Sequence, residues 1–412
     1  MHLKESFSFK GDEIIFDKPK DVAYFNNSGK TPLPVSVKEA GRLAIEREAN
    51  PWLEQESFTE QIRKYFGEIV NASSLDDIAI VPSTGFAMTM IAHNLIAGIC
   101  KKESTKSKIQ VLILQDEMSS EVYAWQEPRQ DGVQVEFVIV PHPTSDSGWT
   151  ASILDYLKNY KIDVCCVPQC HWSDGSYVDI TAVGYHCKEN DIKFVIDGTQ
   201  SVGIMHMDVQ KIHCDALACS VHKWLLSPHG MSLLYVHPKY HSEWKPLDQH
   251  ERSRVAFQNI EYDARENNID KHGYPSQFLQ GARRLDSGGK KNPILEPMIC
   301  EALKIVNSLD LIEANVFLKN ITDYILNRAQ LFGLDCQPGP RCNHIIGLRP
   351  RTDTMKKFLT PHTMVEIATK LATKNIFIAV RNNAFRISIY LFTTMDEVDL
   401  LLNELEKACS CE

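Results

Sequence analysis

Short apolar runs alternate with helix-spaced ones through the first half of the chain. Ile78-Ala-Ile-Val81 is a continuous apolar run of strand length, and from Ala87 to Ile99 apolar residues recur at helical spacing. The two rhythms then repeat. Strands are predicted at Gln110–Leu114, Val135–Val140, Val164–Val167, Phe194–Ile196, Ala216–Ser220 and Leu233–Val236. Strands alternating with helices imply right-handed crossovers and a mostly parallel sheet, hence an α/β fold. Such sheets bind ligands at the carboxyl ends of their strands, so chemistry is sought in the residues just beyond each run.

From about Asn292 the pattern changes. Helices are predicted at Pro297–Leu309 and Ile312–Leu331, then a strand near His344–Leu348 and a helix at Pro361–Lys374. Strands near Phe377–Val380 and Phe385–Ile389 and a last helix at Met395–Lys407 complete an α+β layout. The stretch Gly281–Pro293, rich in Gly, Arg and Lys, reads as a linker or a binding loop. The expected division is an N-terminal arm (1–25), a large domain (26–285) and a smaller C-terminal domain (286–412).

Composition narrows the class. A chain of 412 residues is too long for one compact core, and 43% hydrophobic with 24% charged residues is ordinary for a globular protein. The net charge of -9 argues against nucleic acid or an anionic membrane as the main partner. Met1 to Gly11 has no apolar signal core, and no apolar run reaches the roughly 18 residues of a membrane span, so a cytoplasmic location is expected. The 12 cysteines are scattered, which suits reduced thiols. Cys165 and Cys166 alternate faces on a predicted strand close to Cys170, and no metal site is assigned to them. Cys409 and Cys411 read as a frayed tail.

Two runs carry the strongest chemical signal. In Phe194-Val-Ile-Asp-Gly-Thr-Gln-Ser-Val-Gly203 an apolar strand ends on Asp197. In Ala218-Cys-Ser-Val-His-Lys-Trp-Leu-Leu-Ser-Pro-His-Gly230 a second strand is followed by Lys223. Lys223 alone reads equally well as a surface lysine at a turn. The pair together matches the needs of pyridoxal 5'-phosphate (PLP): an amine to hold the aldehyde, an acid beside the pyridine nitrogen, donors for the phosphate and a cation for a substrate carboxylate. Lys223 supplies the amine and Asp197 the acid. Ser220 and His222 can donate to phosphate, and Gln200 can reach the phenolic oxygen.

Asp197-Gly-Thr-Gln200 and Ser220-Val-His-Lys223, in this order and register, resemble the class V aminotransferase superfamily. Within it the sequence is most similar to the isopenicillin N epimerase-like and C–S lyase branch, on His222-Lys-Trp-Leu-Leu-Ser-Pro-His-Gly230 and His171-Trp-Ser-Asp-Gly175. The resemblance runs from Tyr24 to Leu405. It implies PLP-dependent fold type I: a large domain with a mostly parallel seven-stranded sheet between helices, and a small C-terminal domain. It further implies a homodimer with shared active sites, an amino-acid substrate, and Lys223 and Asp197 as catalytic residues.

The same resemblance assigns the remaining site residues. Tyr24-Phe-Asn-Asn-Ser-Gly29 would line the substrate pocket, with Asn27 as a substrate contact. Ser83, Thr84, Gly85 and Phe86 begin a helix after a strand, a place that suits phosphate, although Ser-Thr-Gly alone is only a cap. Arg283-Arg-Leu-Asp-Ser-Gly-Gly289, through Ser287 and Gly288, would reach the partner's phosphate; the bland reading is a linker of solvated charges. Arg386, in Ala384-Phe-Arg-Ile-Ser388, would bind the substrate carboxylate through its planar fork, and Arg381 is either a second contact or half of an ion pair. His171 is a cofactor contact or a packed histidine.

Two departures bear on the reaction. Met118, in Glu117-Met-Ser-Ser-Glu-Val-Tyr-Ala-Trp125, stands where the family places a His or aromatic residue over the pyridine ring; a thioether packs but moves no proton. Trp125 or an aromatic from elsewhere could substitute. The tight connection Val380-Arg-Asn-Asn-Ala-Phe385 lacks the cysteine that a cysteine desulfurase needs as its nucleophile. The reading is therefore an enzyme acting at Cα or Cβ of an amino acid through Lys223, by transamination or C–S lyase type β-elimination. The alternatives are epimerisation and PLP binding without catalysis. No dinucleotide or Walker motif follows a strand.

Overall fold

A computed structural model describes residues 7, 14–53, 57–126, 132–255, 269–288 and 292–409. The expectations placed on Gly289 and Cys411, and on most of the arm before residue 14, fall outside these residues.

The first strand, β1 (Ala23–Tyr24), belongs to no large sheet. The apolar runs next in sequence form the seven-stranded sheet: β2 (Ile78–Val81), β3 (Lys108–Leu114), β4 (Gln134–Val140), β5 (Val164–Cys166), β6 (Lys193–Asp197), β7 (Ala216–Ser220) and β8 (Ser232–Val236). Its order is β2-β8-β7-β6-β5-β3-β4. The pairs β3–β4, β3–β5, β5–β6 and β6–β7 are parallel, and β8 alone runs against its neighbours β2 and β7. Strands β5 and β7 are buried along their whole length, which is why they read as unbroken apolar runs rather than alternating ones.

Register does the positioning. Asp197 lies level with Ala218 on the parallel neighbour. Asp197 thus ends β6 two residues short of the end of β7, and the chain leaving β7 carries Lys223 past it. Gly203 is required where this turn meets the Lys223 segment. Its φ is +98°, and a Cβ there would lie 2.5 Å from the Trp224 carbonyl oxygen.

The C-terminal part forms a second, four-stranded sheet. It consists of β9 (Leu334–Asp335), β10 (Ile345–Pro350), β12 (Ala379–Arg381) and β13 (Ala384–Ser388) in the order β12-β13-β10-β9. The single strand expected near Phe377–Val380 is split. Its first half, β11 (Ile376–Phe377), pairs in parallel with β1, and its second half pairs with β13, so the chain changes partner at Ile378. The N-terminal segment is thereby stitched to the C-terminal sheet: Ser28 N–H and Oγ both bond the Ser388 hydroxyl at 2.9 Å. Helix Val35–Glu48 likewise packs on helix Leu295–Ser308. There is no helix among the described residues long and apolar enough to cross a membrane.

Candidate active site

A cavity of about 630 Å³ opens beyond the carboxyl ends of β3, β6 and β7, under the C-terminal sheet. Lys223, Asp197, Gln200, Ser220, His222, Thr84, Met118 and Arg386 all line it, as do Ser28, Gly29, Glu117, Thr199, Trp172 and Arg381.

Its floor comes from strand ends. Asp197 Oδ1 accepts the Thr199 N–H at 2.8 Å, and Thr199 Oγ1 in turn accepts the Ser220 N–H at 3.2 Å. Thr199 thus fixes the acid and the Ser220–Lys223 segment together, a role the Asp-Gly-Thr-Gln motif concealed because the eye falls on its charged member. Burial raises the Asp197 carboxyl above its usual range. Burial, with the charges of Arg386 and Arg381, lowers the Lys223 ammonium to about 8 against the pull of Asp197. A lysine near that value is largely a free amine in mild alkali, which an exposed lysine is not.

Thr84 Oγ1 lies 2.6 Å from Ser220 Oγ and 3.1 Å from Ser232 Oγ. This hydroxyl cluster sits at the N-terminus of helix Thr84–Lys102, where free N–H groups and the helix dipole favour an anion. Ser83 is the cap: its Oγ accepts from Phe86 N–H at 3.1 Å. Of the four residues Ser83 to Phe86, only Thr84 faces the cavity. His222 also lines it, stacked at 3.6 Å on His229, and burial and neighbouring cations lower its imidazole to about 3. Gln200 is held at both ends, its Nε2 donating to Ser28 O and its Oε1 accepting from Trp224 Nε1.

The roof comes from segments far apart in sequence. Arg386 is 2% exposed; its Nη1 donates to Trp172 O at 2.9 Å and its Nη2 to Asn26 Oδ1 at 3.2 Å, while its Nε has no partner among the described residues. Burial and the charge of Arg381 lower this guanidinium to about 9. Glu117 is a further wall residue that the sequence reading passed over in favour of Met118. Its Oε1 accepts from Met118 N–H, its Oε2 is buried without a partner, and burial beside Asp197 lifts the carboxyl to about 8. The signal for it was its place in the loop just beyond the carboxyl end of β3, three residues past Leu114, as Lys223 lies three past the end of β7.

Several expected residues lie elsewhere. His171 is fully buried away from the cavity, with its ring against Trp149 at 5.5 Å, Nδ1 2.9 Å from Ser173 Oγ and Nε2 3.2 Å from Gln115 O. Its neighbour Trp172 lines the cavity instead, because successive residues of the turn face opposite ways. Asn27 points into the seam between the N-terminal segment and β13, donating to Ser388 O at 2.8 Å, and Asn26 is the one that touches Arg386. Trp125 is in the core and Gly85 and Phe86 are off the cavity wall. Ser287 and Gly288 do not line the cavity of their own chain: Ser287 N–H bonds Ile80 O and Gly288 N–H bonds Asp248 Oδ2, both at 3.0 Å. Arg283 is paired with Glu60 and Asp76.

The family model of class-V aminotransferases matches residues 24–270, and the chain belongs to that family. It is thus a PLP-dependent enzyme. A probable cysteine desulfurase of Pyrococcus abyssi is 25% identical over 237 residues, 55% of this chain and 56% of that protein. An uncharacterized aminotransferase of Bacillus subtilis, YcbU, is 23% identical over 354 residues, 86% of this chain and 85% of that one. The match to the desulfurase therefore spans about half of its length. Among solved structures, the cystine C–S lyase C-DES, in complex with its reaction product cysteine persulfide, superposes with a TM-score of 0.78 at 16% identity over 94% of this chain and 98% of that one. That likeness establishes a shared fold.

The residues present fit the cofactor. One cavity holds an amine of lowered basicity, an acid, a hydroxyl cluster at a helix N-terminus and a guanidinium with an unpartnered Nε.

Proposed function

We propose that this protein is a C–S lyase: a PLP enzyme that removes the Cα proton of an amino acid and expels a sulfur-bound substituent from Cβ. The observation that carries the reading is Lys223, Asp197 and Arg386 around one cavity, together with a β12–β13 connection, Asn382-Asn383, too short to carry a cysteine loop. Cys170 also lines the cavity, but burial pushes its thiol well above the usual range, so it offers no ready thiolate for the persulfide step of a desulfurase. Likeness of fold to a cystine C–S lyase over nearly its whole length adds support.

Bound in this cavity, the cofactor supplies an electron sink for the bond broken at Cα. Arg386 holds the substrate carboxylate and so orients the Cα–H bond. Asp197 would keep the pyridine nitrogen protonated, and the Lys223 amine, which would also anchor the cofactor, would take the Cα proton as general base. Thr84, Ser220 and His222 would hold the phosphate end, and Met118 on the cavity wall could pack but could not move a proton. The Cβ–S bond would then break with its electron pair leaving on sulfur, which takes up a proton to depart as a thiol, and water would hydrolyse the remaining three-carbon enamine to keto acid and ammonia.

A homodimer is part of the proposal, with Ser287 and Gly288 serving the partner's phosphate; that they avoid their own chain's cavity is consistent with it. A cytoplasmic setting accords with the eleven free cysteines among the described residues. Transamination is the second reading, favoured by the likeness to YcbU over most of both chains.

Mixing the holoenzyme with cysteine conjugates separates the two. Keto acid and ammonia released without an acceptor support the lyase. Stoichiometric conversion of the cofactor to its amine form, with no ammonia, overturns it in favour of transamination.

A further inference from the structure

The hairpin that supplies Arg386 carries a second guanidinium on the same face. Strands β12 and β13 are antiparallel, with Ala379 opposite Arg386 and Arg381 opposite Ala384. Side chains alternate along a strand, so Arg381 and Arg386 are diagonal neighbours on one face, with Cβ atoms roughly 7 Å apart. The turn between them is the two-residue Asn382-Asn383, both at positive φ (45° and 59°), which matches the strand twist and leaves no slack. The spacing of the two cations is therefore built into the backbone.

Both line the cavity. Among the described residues neither is paired with a carboxylate. Arg381 Nη1 donates to its neighbour's carbonyl, Val380 O, and Arg386 donates to Trp172 O and Asn26 Oδ1. The acids on the cavity wall do not neutralise them: Glu117 is held as an uncharged acid, and Asp197 lies on the floor beside Lys223. Two like charges fixed side by side repel, and the charge of Arg381 helps burial to lower the protonation of Arg386. A packed hairpin that keeps such a pair has a cost that bound anions would offset. In the proposed function the substrate α-carboxylate is assigned to Arg386, which leaves Arg381 facing the cavity without an anion.

We infer that Arg381 is a specificity residue that binds a second, carboxylate-like anion on the substrate's leaving group, so that the preferred substrates are cysteine conjugates whose sulfur substituent ends in an anion. This rests on the proposed lyase reading for the word conjugate. The second anion itself rests only on the hairpin.

Binding of inert probes tests it without turnover. Succinate, glutarate and adipate are titrated into the holoenzyme beside butyrate, pentanoate and hexanoate, with binding read from the cofactor's visible band and from heat in a calorimeter. At least one dicarboxylate should bind roughly tenfold or more tightly than the monocarboxylate of equal length, as one charge-assisted contact predicts. Arg381→Gln should abolish that ratio and Arg381→Lys should keep part of it, at unchanged melting temperature. Equal binding of the two series by the unmodified holoenzyme overturns the inference, and so does an Arg381→Gln protein that keeps the ratio. If Arg381→Gln fails to fold, the Arg381→Lys ratio together with that of the unmodified protein decides. A preference for dicarboxylates alongside transaminase products retains this inference and removes the lyase; the opposite pattern does the reverse.

Discussion

The floor and the roof of the cavity are built differently. On the floor, Asp197, Thr199, Ser220 and Lys223 sit on two adjacent strand ends whose register sets their spacing. In the roof, Arg386 is held by Asn26 and Trp172, and Asn26 is 360 residues away along the chain. A site assembled from neighbouring strand ends can be read from a short sequence, and its chemistry is rigidly placed. A site assembled from distant segments depends on how two sheets dock. The floor should thus govern whether chemistry happens, and the roof which substrate it happens to.

Removing the floor amine gives the largest expected effect. Lys223→Ala should lower turnover by on the order of a thousandfold or more, since both the anchoring amine and the general base are lost. The protein should give no borohydride-trapped adduct at this position, and an adduct found on another lysine would break the comparison outright. Asp197→Asn comes next, with a loss on the order of a hundredfold or more in kcat, because an amide cannot keep a pyridine nitrogen charged. A change in KM alone would put Asp197 in the roof's class.

What the sequence made legible follows the same division. The strand runs Ile78–Val81 and Ala216–Ser220 were recognisable from apolar continuity to the residue. Lys223 and Asp197 were recognisable because each follows such a run. The N-terminal segment was harder. Tyr24 to Gly29 was legible as pocket-lining, yet Asn27 was preferred to Asn26, and a one-residue step reverses which side chain faces the cavity. Of the two readings left open for His171, the packed one holds, and its neighbour Trp172 lines the cavity by the same one-residue step. Nothing local distinguishes the members of either pair. The seam with β13 and the stack on Trp149 decide, and both are long-range packing.

The two walls also differ in how they respond to charge. Lys223 has a pKa lowered to about 8, so its amine is protonated below that pH and free above it. The rate at which the unloaded protein captures PLP should rise with pH through about 8 and level off, because only the free amine attacks the aldehyde. Asp197→Asn removes a negative neighbour and should move the midpoint down; Arg386→Gln removes a positive one and should move it up. A midpoint near that of an exposed lysine, about 10.4, would mean that neither wall acts on the amine. In the loaded enzyme Arg386→Gln should raise KM on the order of tenfold to a hundredfold, more than it lowers kcat, since the interaction lost is substrate binding.

The smallest effect separates two adjacent residues that the sequence offered as equals. Ser83 and Thr84 stand side by side at the start of the helix ending at Lys102, but Ser83 Oγ is spent on Phe86 N–H while Thr84 Oγ1 meets Ser220 and Ser232 beside the cavity. Ser83→Ala should cost about 1 kcal/mol of stability, the usual loss of an N-cap, and leave the affinity for PLP where it was. Thr84→Val keeps the shape, removes the hydroxyl, and should weaken PLP binding several-fold with little change in melting temperature. Equilibrium unfolding and a spectroscopic PLP titration on both variants read the two effects independently. If the Ser83 variant loses cofactor and keeps its stability, the cap and phosphate roles are reversed, and the floor is less legible from strand ends than Asp197 and Lys223 suggest.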